Sequence, residues 1–245
     1  MIDANQRAIS LGHPSYVWRF GQDRRLGLMQ QYVPLAGRRV LDVGCGLGLY
    51  LQRFRTYSQQ VCGVDADLEK LKQAGPTNVC VALAEALPFA DGSFDVVNLH
   101  EVIEHVNDDH QAIREAHRCA REGGRLVIFA PNRLYPFETH GVYWRGKYHF
   151  GNVPLINYLP SKWRARLCPH VRVYTGRDIE NLFDGLTART LVHTQIYPGY
   201  DKIASRYPWL ASFLRRVTYA LENTPLRMFG LSHFVVMEKG RGERE

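Results

Sequence analysis

Residues 40–48 read Val-Leu-Asp-Val-Gly-Cys-Gly-Leu-Gly, an apolar run that passes directly into three alternating glycines, with an acid, Asp42, two positions before the first of them. A glycine-rich turn between a strand and a helix lets the backbone approach a ligand where any Cβ would collide. It also places that ligand at the carboxyl edge of a sheet, where open α/β folds bind cofactors. The chain is therefore expected to hold a small molecule against Gly44, Cys45, Gly46 and Gly48.

The spacing and the acid narrow the ligand. A dinucleotide site calls for Gly-x-Gly-x-x-Gly with the pyrophosphate on the helix N-terminus; here the glycines are 44, 46 and 48, and position 49 is Leu. Asp42 would repel a phosphate but attract an ammonium or a sulfonium. S-adenosylmethionine fits both conditions. A second short apolar run, residues 60–65 (Gln-Val-Cys-Gly-Val-Asp), ends in another acid seventeen positions after Gly48, far enough for one helix and a strand. The two carboxylate oxygens of Asp65 can accept from both hydroxyls of a ribose.

With these signals in this order, the chain resembles the class I S-adenosylmethionine-dependent methyltransferases, closely over residues 35–130. The resemblance implies that Ala66 flanks the ribose acid and that Ala84-Glu85-Ala86-Leu87-Pro88-Phe89 is the segment beside the adenine, with His100 at the end of the next strand close to the cofactor. It departs from the family at Leu83, where an acid often binds the adenine amino group, so Glu85 or a backbone carbonyl is expected to make that contact.

Strands are read at 39–43, 61–65, 78–82, 94–99, 125–130, 188–196 and 233–238, the first five alternating with helical stretches. Such alternation gives a doubly wound, Rossmann-like sheet, mainly parallel, and the last two strands supply an antiparallel finish. A helix is expected between Asp108 and Arg121, with Ala112, Ile113, Ala116 and Cys119 on one face and Gly123-Gly124 ending it. Another is expected from Thr175 to Phe183, where Thr175 and Asp178 have capping-box spacing.

At 245 residues and 45% hydrophobic, the chain suffices for one methyltransferase domain over 1–245, without internal repeats. Residues 1–10 lack a signal-peptide pattern and no run approaches the ~18 apolar residues of a membrane span. The reading is a cytoplasmic protein, not integral to a membrane, with a peripheral seat on the inner face left open. Five scattered cysteines, odd in number and without Cys-x-x-Cys spacing, read as reduced thiols.

Two insertions exceed the minimal fold, one after the fifth strand and one after the sixth. Residues 133–177 carry eight basic side chains against Glu138 alone, a net +7 equal to that of the whole chain, together with nine aromatics and four prolines that argue against one long helix. This composition suits either a basic loop packed on the sheet or a surface for an anionic partner, whether phospholipid or single-stranded nucleic acid. Residues 198–231 contain a helix from near Pro208 to before Pro225 with Leu210, Phe213, Leu214, Val217 and Leu221 at helical spacing. That stripe is expected on the protein core, or else on a membrane surface with Arg215 and Arg216 at the headgroups.

Directly after the fourth strand comes His100-Glu101-Val102-Ile103-Glu104-His105. Glu101, Glu104 and His105 match the Glu-x-x-Glu-His of the ubiquinone-biosynthesis O-methyltransferases and of small-RNA 2′-O-methyltransferases, a resemblance that implies a divalent-metal site, Mg²⁺ being the ion considered. Two carboxylates and an imidazole can hold such an ion. Without metal, His105 would act as base, with Glu101 beside it and His140 as competitor.

Methyl transfer to oxygen of a small hydrophobic acceptor (a quinone precursor, phenol or lipid) is the reading these features support best. An RNA or other nucleic-acid methyltransferase is the alternative, favoured by the pI near 9.2 but lacking an Asn/Asp-Pro-Pro-Tyr-type sequence after the fourth strand. A non-catalytic, methyltransferase-like binding subunit is a third. Oligomeric state is not written in the sequence.

Overall fold

The computed structural model describes residues 18–75 and 77–240, so residues 1–10 and their expected lack of a signal peptide lie outside the described part. The first five strands are β1 (Val40–Val43), β2 (Val61–Asp65), β3 (Val79–Val81), β4 (Phe94–His100) and β5 (Ala120–Pro131). All pair in parallel: β1 with β2 and β4, β2 with β3, and β4 with β5. The helices among them are α1 (Phe20–Gln30), α2 (Leu49–Arg55), α3 (Leu68–Ala74) and α4 (Asp109–Cys119). Local chemistry sets their starts. Asp67 accepts from the Glu69 and Lys70 amides to cap α3, and Asp108 accepts from the Gln111 amide to cap α4.

The first insertion holds two small antiparallel ladders. In one, β6 (Phe137–Glu138) pairs with β9 (Val153–Pro154); in the other, β7 (Val142–Trp144) pairs with β8 (Lys147–His149). Then follow α5 (Ser161–Leu167) and α6 (Gly176–Asn181), the latter opened by the reciprocal Thr175/Asp178 capping box read from the sequence. Its prolines forbid one long helix, as expected. Its packing rests on Val142, Cys168 and Val171 and, among its aromatics, on Tyr174, which is buried in the main core, whereas Trp144 and Trp163 are exposed.

After β10 (Ala188–Ile196) the second insertion carries α7 (Asp201–Ala204) and α8 (Pro208–Leu221), and the chain returns in β11 (Ser232–Lys239). The seven-stranded sheet is ordered β10-β11-β5-β4-β1-β2-β3, with β11 antiparallel to both neighbours. Alternate residues of each central strand serve opposite faces. Leu41, Val97, Leu99 and Ile128 pack with Ile113 and Ala116 of α4, while Val40, Val96 and Phe129 pack with Leu51 and Phe54 of α2 and Met29 of α1.

Two expectations are corrected. Gly123-Gly124 does not stop α4, which ends at Cys119; the pair lies inside β5 where its register against β4 slips between Phe94 and Val96. Gly123 has φ +69°, and the strand uses the pair to form an irregularity rather than a helix end. On α8, Leu210, Leu214 and Leu221 are partly covered, but Phe213 and Val217 are exposed, so the sequence stripe is split between two faces. Among the described residues no helix is long and apolar enough to cross a membrane.

Candidate active site

A cleft of about 1260 Å³ opens over the carboxyl ends of β1, β2 and β4. The glycine loop forms one wall because its backbone turns in a way side chains resist. Gly44 has φ +66°, and a Cβ there would lie 2.5 Å from Val102 Cγ2. Gly46 has φ +54° and nothing within 4 Å of its missing Cβ, so its backbone is the surface offered to a ligand. Gly46 and Asp67 donate their amides to the two oxygens of Asp65, at 2.8 and 2.9 Å. The Asp65 carboxylate is thus held in place by the backbone, with a lone pair left on each oxygen.

Cys45, Ala66, Ala84 and Glu85 also line the cleft, as do Gly44, Gly46, Asp65 and His100. Two residues assigned to the cofactor do not. Gly48 caps α2 and packs on α3, where a Cβ would meet Ala74 at 2.9 Å. Asp42 is buried beneath the loop, and its Oδ1 accepts from Asn98 Nδ2 at 2.7 Å across the β1–β4 pairing. Its Oδ2 has no partner, and burial pushes the carboxyl up to about 7 against the relief given by Asn98. Asp42 would act on a cationic ligand through its field rather than by contact. Glu85 lines the cleft while its Oε1 accepts from the Asn107 and Asp108 amides, so it also braces the approach to α4, and the exposed Leu83 offers an apolar seat beside it.

Beyond the loop the cleft wall is aromatic and basic. His100 is sandwiched between Tyr50, with ring centroids 4.3 Å apart, and Phe129 at 4.7 Å. Burial and the nearby Arg25 hold His100 down to about 3, so it stays neutral. The Tyr50 hydroxyl and His100 Nδ1 are buried without partners, which marks this wall as one a polar ligand completes. Arg25, which no sequence signal marked, reaches from α1 to His100 Nε2 and Glu101 Oε1, both at 2.7 Å, and to Ser232 Oγ at 2.8 Å.

Glu101 leaves β4 with φ +56°, a left-handed conformation that costs a non-glycine residue about 1–3 kcal/mol and recurs at functional sites. The segment behind it is pinned by the first insertion: Arg172 N donates to Glu104 O at 3.0 Å and the Tyr174 hydroxyl donates to Ile103 O at 2.8 Å. Glu104, His105 and His140 consequently converge, with one ligand atom from each lying within 4.8 Å of the others. This replaces the expected trio of Glu101, Glu104 and His105, because the Glu101 carboxylate is engaged by Arg25 and Ser232.

The new trio offers three donor atoms to one point. Glu104 is buried with both oxygens unpartnered, and burial together with the Glu101 charge raises its carboxyl well above the usual range. His140 Nδ1 lies 3.1 Å from Glu138 Oε1 and His105 Nδ1 lies 3.2 Å from His170 O, which leaves Nε2 of each ring free. A carboxylate or carbonyl behind each imidazole is the usual outer support of a metal ligand. Burial and the neighbouring His140 hold His105 down to about 4, so the ring is neutral at physiological pH.

Both insertions reach the cleft. Tyr148, Phe150 and Asn152 come from the first, and Pro198, Gly199 and Lys202 from the second, next to Tyr197. Lys202 Nζ sits 5.3 Å from the centroid of Phe150, joining the two across the mouth.

Residues 41–128, the span that carries the loop, Asp65 and the cluster after β4, match the family described as methyltransferase domain. That span is a methyltransferase domain, similar to those that use S-adenosylmethionine. An uncharacterized methyltransferase of Bacillus subtilis, YcgJ, is 35% identical over 170 residues, covering 63% of this chain and 65% of that protein. A ubiquinone biosynthesis O-methyltransferase of Ralstonia nicotianae is 36% identical over 118 residues, covering 44% and 50%. The chain thus spans about half to two thirds of the length of these curated relatives. Among solved structures, an S-adenosylmethionine dependent methyltransferase from Mesorhizobium loti superposes with a TM-score of 0.60 at 18% identity, over 87% of this chain and 96% of that one. The YcgJ structure superposes with a TM-score of 0.58 at 23% identity, over 90% and 100%. These two show the shared fold.

Proposed function

We propose that the protein methylates an oxygen of a small hydrophobic acceptor, a phenol, quinone precursor or lipid, with S-adenosylmethionine as donor. The observation that carries this reading is one cleft with two chemically distinct ends: Gly46 and Asp65 shaped for a nucleoside, and the neutral His105 with His140 at the other end, the buried Glu104 lying behind them. Its volume exceeds the ~300–1,000 Å³ of a site for one drug-sized ligand, leaving room for donor and acceptor together. Similarity to ubiquinone biosynthesis O-methyltransferases adds support.

Bound S-adenosylmethionine supplies a methyl group already activated on a sulfonium. The chain's own work is therefore to align the acceptor, exclude water and take its proton. Asp65 and the Gly46 backbone fix the nucleoside. Tyr148 and Phe150 supply aromatic surface for an acceptor ring. His105, neutral and with Nε2 free, is the proton acceptor.

A second reading is favoured by the unpartnered Glu104 carboxylate. The trio fits a divalent cation, which would be held by Glu104, His105 and His140 and would acidify an acceptor hydroxyl as a Lewis acid. Two imidazoles and one carboxylate suit Mn²⁺, Fe²⁺, Co²⁺ or Zn²⁺ better than Mg²⁺, which prefers oxygen donors.

The test is incubation with S-adenosylmethionine and a panel of catechols, monophenols and lipid extracts, followed by mass spectrometry. A gain of one methyl on oxygen is expected. Loss of that product on chelation and its return with Mn²⁺ or Zn²⁺ supports the cation reading, whereas product unaffected by chelation leaves His105 as base. Methylation of nitrogen acceptors alone overturns the proposal.

A further inference from the structure

Helix α8 is covered on one side only. Its inner side holds Leu210, Leu214 and the buried Ala211, and its polar residues there grip the cleft mouth. Arg215 Nε donates to Gly199 O at 2.7 Å and the Tyr219 hydroxyl donates to Pro198 O at 3.2 Å, both carbonyls belonging to residues that line the cleft. Glu222 is held by Arg24 of α1 and by the Tyr197 amide. The outer side presents Trp209, 72% exposed, Phe213, 59% exposed, and Val217, with Ser212, Arg216 and Ala220 between them. Positions 209, 212, 213, 216, 217 and 220 form one continuous stripe. The short helix after α8, Pro225–Phe229, adds exposed Leu226, Met228 and Phe229.

The charges sort the same way. Residues 198–231 hold five basic side chains, Lys202, Arg206, Arg215, Arg216 and Arg227, and two acids, Asp201 and Glu222. Both acids are spent inward, Asp201 on Arg215 and the Gly21 amide, Glu222 on Arg24 and Tyr197. The outward surface therefore shows large apolar groups among arginines and no acid. A partner protein of mixed charge has no reason to select that pattern, whereas an anionic bilayer surface matches it: aromatic and aliphatic side chains enter the headgroup boundary while arginines meet phosphates.

We infer that the outer face of α8 and the Pro225–Phe229 turn dock on an anionic lipid surface and set the cleft mouth beside it. The linkage is mechanical. The helix that would lie on the lipid holds Pro198 and Gly199 by Arg215 and Tyr219, so the acceptor entrance is fixed relative to the docked face. The inference extends the proposed function by naming where the acceptor is met, but docking does not need turnover and is measured without it, so the two stand or fall separately.

Purified protein is to be sedimented with sucrose-loaded vesicles of phosphatidylcholine alone and of phosphatidylcholine with phosphatidylglycerol, without S-adenosylmethionine. Binding should require the anionic lipid and fall severalfold on raising salt from about 50 to 500 mM, because the electrostatic part is screened. The double variant Trp209→Ser/Phe213→Ser should bind about tenfold less or weaker, since the apolar part is lost. Arg216→Glu should weaken binding to anionic vesicles alone. These side chains are exposed, so an unchanged melting midpoint certifies each variant's fold. Equal binding of wild type and double variant overturns the inference. So does a dimer in solution that the double variant abolishes with no vesicle binding, which would assign the face to a second copy, and so does retention on single-stranded RNA with no lipid binding.

Discussion

Arg25 Nη1 lies 2.7 Å from Glu101 Oε1, tying the N-terminal helix α1 to the residue at which the chain leaves β4 in a left-handed conformation. Burial alone would raise the Glu101 carboxyl, and the guanidinium overrides it, holding the group well below its usual range. The same nitrogen meets His100 Nε2, so one side chain orients both a cleft histidine and the acid after it. Arg25→Met should destabilise the fold by roughly 1.5–3 kcal/mol, the scale of a hydrogen bond to a charged group, with an added loss from the uncompensated Glu101 charge. Glu101→Gln should cost less, and in the double variant the two losses should sum to more than the observed effect. Urea unfolding of the four proteins measures this, and simple additivity would show that the pair is not coupled.

Asp65 carries the nucleoside end of the proposed site. Asp65→Ala removes two acceptor oxygens and also leaves the Gly46 amide without its partner, so both the ribose contact and the loop shape suffer. Each charged hydrogen bond lost is worth on the order of 1.5–3 kcal/mol, which predicts at least tenfold weaker binding of S-adenosylmethionine. Calorimetry decides the matter: unchanged affinity in Asp65→Ala, or tight binding of NADH by the native protein, contradicts the cofactor assignment.

How far the sequence carries can be traced through these residues. The glycines, Asp65 and the cluster after β4 are adjacent in sequence to the strands that place them, and burial on both faces of the sheet makes those strands readable as short continuous apolar runs. Asp42 shows the limit. Its position in the motif is legible, but the pleat that turns it under the loop toward Asn98 is set by the β1–β4 pairing, fifty-six residues away. Arg25 lies before residues 41–128, the span that matches the methyltransferase domain, and its partners arrive from β4 and β11 only in the folded chain. His140 could be named as a lone histidine, yet its place beside Glu104 and His105 depends on the ladders of the first insertion and on Glu138 behind it. On α8 the helical period is legible, whereas which half of the stripe faces outward depends on Arg215, Tyr219 and Glu222 holding the other half inward.

Glu104 should report metal binding independently of turnover. In the wild type, Mn²⁺ or Zn²⁺ should raise the melting midpoint, because an ion bound only by the folded state stabilises it in proportion to RT ln(1 + [L]/Kd). Glu104→Gln removes the buried carboxylate and keeps its volume, so the metal-free variant should be as stable as wild type or more so while losing the metal-induced rise. His140→Ala should lose the rise as well. A rise that survives in both variants would place the ion elsewhere.

Asp42 gives the last prediction, in which stability and binding move in opposite directions. Its carboxyl sits at about 7 in the fold against an ordinary 3.8, because burial disfavours the charge more than Asn98 favours it. Between these values the folded protein keeps a proton that the unfolded chain has released. The stability this proton contributes is complete below about pH 4, falls as pH rises toward 7, and is absent above it. Asp42→Asn keeps an oxygen to accept from Asn98 and carries no charge at any pH. The variant should therefore match wild type near pH 4 and exceed it increasingly up to pH 7 and beyond, by at most about 4 kcal/mol. Denaturant midpoints from pH 4 to 9 trace that gap, and a gap that is flat with pH contradicts the buried charge. The same substitution removes a negative field beneath the glycine loop. It should weaken S-adenosylmethionine and its demethylated product alike, since both carry the ammonium group. Weakening of the sulfonium form alone would instead place the field of Asp42 at the methyl group.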